Sequence, residues 1–385
     1  SFKGVIRLSL IYSVLIKILK GDTEVYNLIQ LGWNEFFENQ FQVYKNRGLI
    51  PTRVAAENKQ RYILVTESGE LTGEVTGKLL YSSATSAELP KTGDWVAAAV
   101  FEKEKKAIIH SMLERKTKLS RKAADRKTEE QIIATNIDFV FVVQGLDNNF
   151  NLRRLERYVV SILESGAKPI IVLNKTDLVE EPTVMQRKVK EIIHGIPVIL
   201  TDATRGIGII DIKNILKVGL TGVFTGSSGV GKSTIINSLL DEHILETSTV
   251  SSSVNKGRHT TARREMLIIP NGGIVIDTPG MREFQLWSVD EGLNKLFDEV
   301  ESIVLKCKFT DCTHTNEKGC AVIDALEKGI IDEERLDSYR KLRKELDYLE
   351  EKQSRSAFLR RKEREKKLHK EIKQIYKRRK NRGIF

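Results

Sequence analysis

The sequence predicts a multidomain protein in which a small all-β module is followed by an α/β phosphate-loop domain and then by a zinc-binding, mostly α region. Three patterns predict it. Short alternating apolar runs separated by turn residues fill residues 45–117. Longer apolar runs of the kind that fill buried parallel strands then alternate with helical stretches. All three cysteines of the 385-residue chain fall between positions 307 and 320. With 40% hydrophobic residues the chain can bury more than one core.

Residues 1–44 are read as an N-terminal extension to which no function is assigned. Its apolar stretch, residues 8–19, is interrupted by Lys17 and is too short to span a bilayer. In the β module of residues 45–117, Tyr62-Ile63-Leu64-Val65 and the run from Asp94 to Val100 read as strands. Glu67-Ser68-Gly69-Glu70 and Pro90-Lys91-Thr92-Gly93-Asp94 read as turns. Pattern alone allows a barrel or a sandwich. The basic connector at residues 115–122 either extends a surface along an RNA backbone or is a solvated linker.

Residues 118–290 carry guanine-nucleotide motifs in a rotated order. Asn174-Lys175-Thr176-Asp177 precedes Gly226-Ser227-Ser228-Gly229-Val230-Gly231-Lys232-Ser233, whereas an ordinary GTPase opens with the phosphate loop. The order predicts a circularly permuted GTPase. In the pattern GxxxxGK[ST], glycines let successive N–H groups turn inward around phosphate oxygens, Lys232 reaches the outer phosphates and the Ser233 hydroxyl ligates Mg²⁺. The run Gly222 to Thr225 before the loop reads as a strand, and Thr234 to Leu240 opens a helix whose N-terminus favours anions. Asn174 to Asp177 follows the apolar run from Pro169 to Leu173, so its loop lies at a strand's carboxyl end, where open α/β sheets bind ligands. Asp177 can accept from both the N1–H and the exocyclic amine of guanine, a donor pair that adenine lacks.

A third motif, Asp277-Thr278-Pro279-Gly280, follows the run from Gly273 to Ile276 and matches the loop that senses the terminal phosphate through Asp277 and the Gly280 amide. Between it and the phosphate loop lies Gly257-Arg258-His259-Thr260-Thr261. Thr261, with Thr260 as the alternative, is expected to ligate Mg²⁺ in a segment that orders around the terminal phosphate. Met281 stands where many GTPases carry a water-orienting glutamine. His259 is therefore expected to place the attacking water, against the plainer reading of a solvated loop residue. The expected ligands are GTP and GDP with Mg²⁺.

In residues 291–385, Cys307, Cys312, His314 and Cys320 supply three thiols and one imidazole. Such a closed Cys₃His set is the signature of structural zinc, and its odd cysteine count speaks against a disulfide framework and for a reducing compartment. The formal net charge of +11 points to a polyanionic partner. Its densest part is the tail from Arg360 onward, although interspersed glutamates also fit a solvated charged helix.

Asn174 to Asp177, the stretch from Gly226 to Thr234, Gly257 to Thr261, Asp277 to Phe284 and the cysteine cluster together resemble the RsgA (YjeQ) family of circularly permuted GTPases, over about residues 45–325. The resemblance implies an OB-fold for the β module and zinc ligation by Cys307, Cys312, His314 and Cys320. It implies a cytoplasmic, monomeric protein that assists late maturation of the small (30S) ribosomal subunit, contacts its 16S rRNA, and is released by GTP hydrolysis. Neither DNA nor a membrane is expected as partner. A switch acting on another RNA or on large-subunit assembly is the alternative. One departure is Thr201-Asp202-Ala203-Thr204, where the family usually has Ser-Ala, which puts Asp202 and Ala203 in question as base contacts.

Overall fold

The computed structural model describes residues 26–58, 61–83, 85–122, 130–242, 245, 265–277, 290–309, 312–315, 317–348 and 351. Five strands, β1 (Ile50–Asn58), β2 (Arg61–Thr66), β3 (Gly69–Val75), β4 (Trp95–Phe101) and β5 (Lys106–Met112), run in the order β1-β2-β3-β5-β4, and β4 returns to pair with β1. The sheet is thereby closed into a barrel, with β3 and β5 parallel and the other pairs antiparallel. This is the five-stranded OB-type barrel. Bulges between Val54 and Ala56 and between Ala97 and Ala98 supply the bends that closure needs. Val54, Tyr62, Leu64, Leu71, Val96, Ala98 and Ile109 fill the interior, so any ligand of the barrel must lie on its outer face.

Helix α1 (Glu35–Lys45) packs on this barrel, a contact that the extension read for residues 1–44 did not anticipate. Asn34 caps it by accepting from the Phe36 amide. Phe37 and Phe41, four residues apart, share one helix face, and Trp33, just before the cap, packs against both rings. Trp33 meets Trp95 of β4 edge to face at 4.7 Å. Helix α2 (Gly77–Ser82), capped by Thr76, follows β3.

The connector after the barrel is irregular only in its first half, residues 115–117. Its second half is β6 (Lys118–Lys122), paired antiparallel with β7 (Glu130–Thr135). Six further strands form the central sheet in the order β10 (Val198–Leu200), β9 (Lys168–Asn174), β8 (Phe139–Gly145), β11 (Thr221–Thr225), β13 (Ile274–Asp277), β12 (Glu265–Ile268). Successive residues face opposite cores: Val140 and Val142 pack under α3 (Leu152–Glu164) and α4 (Pro182–Ile192), while Phe141 and Val143 pack under α5 (Ile209–Ile215) and α6 (Lys232–Leu240). The sheet is not wholly parallel, as strand–helix alternation predicts. β12 is antiparallel to β13 because a tight turn closed by Ile269 N–H to Gly273 O joins them without a crossover helix.

Ala56 of β1 pairs with Glu265 of β12, so barrel and central sheet are hydrogen-bonded edge to edge. The buried Arg53 side chain secures the same junction. It donates to the carbonyls of Leu31, Gly93 (3.3 Å) and Asn136 (3.1 Å) and to the Thr221 hydroxyl (2.9 Å), and its guanidinium lies 5.7 Å from the Trp95 ring centroid. Burial pulls its pKa down to about 10, against the opposing pull of Asp138 and Asp94. One side chain thus joins the segment before α1, the barrel, the turn between β7 and β8 and the first residue of β11.

The C-terminal region is helical: α7 (Asp290–Leu296), α8 (Asp298–Val304), α9 (Ala321–Glu327) and α10 (residues 333–348). Helix α7 crosses α3 at Gly292, where a Cβ would stand 2.2 Å from the Val160 carbonyl oxygen. Arg335 of α10 donates to Glu299, to the Ile192 carbonyl at the end of α4 and to the Leu296 carbonyl, with its guanidinium 4.0 Å from the Phe297 ring centroid. No helix among the described residues is long and apolar enough to cross a membrane.

Replacing Arg53 by Met keeps the aliphatic stem but leaves three carbonyls and a hydroxyl without their donor. Arg53→Met is expected to cost about 3 kcal/mol, read as a lowered midpoint of thermal or urea unfolding, because unpaired buried acceptors carry their desolvation cost.

Candidate nucleotide site and metal centre

The phosphate-loop residues Gly226 to Gly231 leave the end of the central strand β11 and enter α6 at Lys232, so the strand–loop–helix context expected of the motif is present. The loop closes on Asn174, which is buried at the end of β9. The Asn174 Nδ2 donates to the Val230 carbonyl at 2.8 Å, while its Oδ1 accepts from the Thr201 hydroxyl at 3.0 Å and from the Ala203 amide at 3.1 Å. One amide therefore ties the phosphate loop, the Asn174–Asp177 loop and the Thr201–Thr204 loop together. The approach is so close that a Cβ on Gly231, whose φ is +98°, would lie 2.2 Å from the Asn174 Nδ2. Glycine is required there both for space and for backbone conformation.

Lys232 Nζ donates to the Gly226 and Ser227 carbonyls at 2.8 and 2.7 Å, which aims the ammonium into the loop. Burial pulls its pKa down to about 8, with Asp277 at the end of β13 pulling the other way. Ser233 and Thr234 are half-buried in the first turn of α6, while Ser228 and Gly229 are exposed at the loop's crest. Lys175 adopts the left-handed conformation (φ 63°) and donates to Asp147 at 2.8 Å. Burial opposes ionisation of Asp147, but Lys175 and the Asn149 amide outweigh it and hold its carboxyl below the usual range. Asp177 sits in the short helical turn Thr176–Leu178 with its side chain exposed, available to a base from outside.

Asp202 is turned inward. Its Oδ1 accepts from the Thr204 amide (3.1 Å), the Thr204 hydroxyl and the Arg205 amide (3.2 Å), and the Thr204 hydroxyl chiefly holds its carboxyl below the usual range. Asp202 shapes its loop, and Ala203 serves through its amide to Asn174.

The sulfur and imidazole donor atoms of Cys307, Cys312, His314 and Cys320 all lie within 4.8 Å of one another. Cys307 and Cys320 sulfurs stand 3.6 and 3.5 Å from His314 Nδ1 and 4.0 Å from each other. A tetrahedral zinc with bonds of about 2.3 Å to sulfur and 2.0 Å to nitrogen sets separations of roughly 3.5 Å between sulfur and nitrogen and 3.8 Å between sulfurs. The donor set is compatible with one zinc ion on that test. Burial and then the neighbouring thiols push the Cys312 thiol up to about 11, so a cation is what would let three thiolates gather here.

A family model described as RsgA GTPase matches residues 112–287, and one described as 50S ribosome-binding GTPase matches residues 221–354. The chain is 44% identical over 330 residues to the small ribosomal subunit biogenesis GTPase RsgA of Opitutus terrae, covering 83% of this chain and 90% of that one. It is 42% identical over 352 residues to a small ribosomal subunit biogenesis GTPase RsgA of Lactiplantibacillus plantarum, covering 91% and 98%. The chain belongs to the RsgA family of GTPases. Among solved structures, YjeQ from Thermotoga maritima matches with a TM-score of 0.58 at 26% identity over 77% of this chain and 98% of that one. YloQ, described as a circularly permuted GTPase, matches in fold with a TM-score of 0.56 at 23% identity over 78% and 95%.

The RsgA fold accounts for the rotated motif order. β9 and its Asn174 loop come before β11 and its phosphate loop in the chain, yet both loops open at the carboxyl ends of parallel strands separated only by β8. The structure thus brings Asn174, Lys175, Gly226 to Thr234 and the four zinc-type donors into the groupings expected of them. His259, Thr260, Thr261, Gly280 and Met281 lie outside the described residues. Sequence reading missed Asp147, the partner of Lys175, and Arg154 of α3, which donates to the Ser227 hydroxyl at 2.6 Å. Neither belongs to a motif, and Arg154 is 73 residues from its partner.

Phosphates placed beside Lys232 raise its pKa, so nucleotide binding should take up a proton wherever the unliganded lysine has begun to lose one. Calorimetry in buffers of different ionisation enthalpy should show uptake rising from about a tenth of a proton at pH 7 to well over half at pH 8.5. Pure proton independence across that range would contradict the assignment of Lys232 to the phosphates.

Proposed function

We propose that this RsgA-family GTPase binds the small ribosomal subunit, assists its late maturation and is released when GTP is hydrolysed. The observation that carries the reading is that relatives matching the chain along most of its length are named small ribosomal subunit biogenesis GTPases. The net charge of +11 suits an rRNA partner, with the outer face of the barrel and the C-terminal region as the contact surfaces. The protein acts in the cytoplasm as a monomer, without DNA or a membrane.

In the reaction, water attacks the terminal phosphate of GTP to give GDP and phosphate. Lys232 and the amides of Gly226 to Ser233 stabilise the charge that spreads over the transferring phosphoryl group. Asp177 reads guanine, and Asn174 holds the loop that presents Asp177 against the phosphate loop. Ser233 and Thr261, or Thr260 in place of the latter, hold Mg²⁺, with Asp277 and the Gly280 amide sensing the terminal phosphate. Mg²⁺ supplies neutralisation of the phosphate oxygens when bound. His259 places the water in the position that Met281 cannot serve. Cys307, Cys312, His314 and Cys320 hold one structural zinc, which braces the loop between α8 and α9.

The match of residues 221–354 to a model described as 50S ribosome-binding GTPase favours a second reading, action on the large subunit. It spans only part of the chain, whereas the named relatives span most of it.

With a non-hydrolysable GTP analogue the protein should co-sediment with small subunits and not with large ones, and GDP should weaken that binding. Raising salt from 50 to 200 mM should lower the affinity by about 10³-fold or more if six or more phosphates are contacted. Equal recovery on large subunits would favour the second reading. His259→Ala should lower subunit-stimulated turnover about 10²-fold while changing GTP affinity little; unchanged turnover would remove His259 from the mechanism.

A further inference from the structure

Two consecutive arginines in the first turn of α3 point to different parts of the molecule. Arg154 donates to the hydroxyl of Ser227, the second residue of the phosphate loop, at 2.6 Å, and more weakly to the Asn149 carbonyl at 3.4 Å. Arg153 donates to Asp337 at 2.9 Å and to the Ser338 hydroxyl, both on α10, and to Glu156 of its own helix at 3.4 Å. Neighbouring helical residues project about 100° apart, so one turn of α3 can face the nucleotide loop and the C-terminal helix at once.

The rest of α3 is gripped by the C-terminal region. Gly292 of α7 lies against the Val160 carbonyl and its amide donates to Glu164 at 2.9 Å, while Arg157 reaches Glu345 of α10 at 3.5 Å. Glu156, fully buried beneath Arg153, has its carboxyl raised by burial, partly relieved by Ser338 and Arg153. Undocking α10 would leave that carboxyl and Arg153 to find other partners, which ties the seat of α10 to the geometry of this turn.

We infer that Arg154 is a positioning residue for the phosphate loop and that docking of α10 on Arg153, its neighbour in the same turn, sets how firmly that loop is held. The inference rests on the nucleotide-site reading and adds a route from the zinc-type C-terminal region to the nucleotide that does not pass through the Asp277–Gly280 loop. Ser227 is the only phosphate-loop side chain among the described residues that receives a guanidinium.

Titration of the full-length protein with fluorescently labelled GDP and with a labelled GTP analogue tests it, alongside thermal melts. Arg154→Ala and Ser227→Ala should each weaken binding about tenfold, and the double variant should bind no worse than either single one, since both remove one charged hydrogen bond. Arg154→Lys should recover part of the loss. The pair Asp337→Ala and Ser338→Ala touches no phosphate-loop residue, yet should weaken binding about threefold, and that effect should vanish in the Arg154→Ala background. Wild-type affinity in Arg154→Ala, or an undiminished effect of the α10 pair in that background, would overturn the inference. Should Arg154→Ala fail to fold, Ser227→Ala and Arg154→Lys with the α10 pair carry the same comparison. Failure of the wild-type protein to bind either nucleotide would instead strike the site assignment itself.

Discussion

The nucleotide site depends on one buried amide. Asn174 spends its oxygen on Thr201 and Ala203 and one N–H on Val230, so three loops from three separate parts of the chain are held in one register. None of these contacts depends on the order in which the chain visits the loops. That is the physical reason why a permuted chain can keep a working site: β8, β9, β11 and β13 lie side by side whichever strand is made first, and their carboxyl ends open on the same edge. The same amide sets the side-chain requirement at position 231, where the loop passes too close for a Cβ.

Permutation changes what the site is attached to. On one side, β12 pairs with β1 of the barrel and Arg53 bonds the barrel to the start of β11, the strand that delivers the phosphate loop. On the other, Arg335 bonds α10 to the ends of α4 and α7. Both arginines are buried, and each is satisfied by carbonyl oxygens and an aromatic face as well as, for Arg335, by a carboxylate. Carbonyl acceptors fixed by backbone geometry make such a cation a rigid joint, since moving one unit would strand several acceptors at once. The nucleotide domain is therefore clamped between the barrel and the C-terminal helices by contacts that reach its strand starts and helix ends.

Much of this was legible in the sequence, and for identifiable reasons. The runs around Phe139, Ile170, Val223 and Val275 are continuously apolar because both faces of the sheet are covered, and that signal is hard to mistake. The phosphate loop, the Asn174–Asp177 loop and the cysteine cluster are read from residue types whose chemistry is fixed by spacing. The antiparallel course of β12 was not legible, because four residues of strand carry no record of direction. Helix α1 had a readable signal in Phe37 and Phe41, whose spacing marks a single helical face. Arg53, Arg153 and Arg154 had none: a charged residue in sequence looks like a solvated one until the fold brings its partner, as much as 185 residues away, into contact. Asp202 illustrates the same limit, since only its turn geometry shows that it braces a loop.

The central claim is that this site is a GTPase switched by the small ribosomal subunit. The most direct measurement is the rate of GTP hydrolysis by the purified protein alone, with small subunits and with large subunits, at matched salt because binding to an rRNA surface would be ionic. The account predicts slow hydrolysis alone and strong stimulation by small subunits only. Equal rates in all three, or stimulation confined to large subunits, would contradict it.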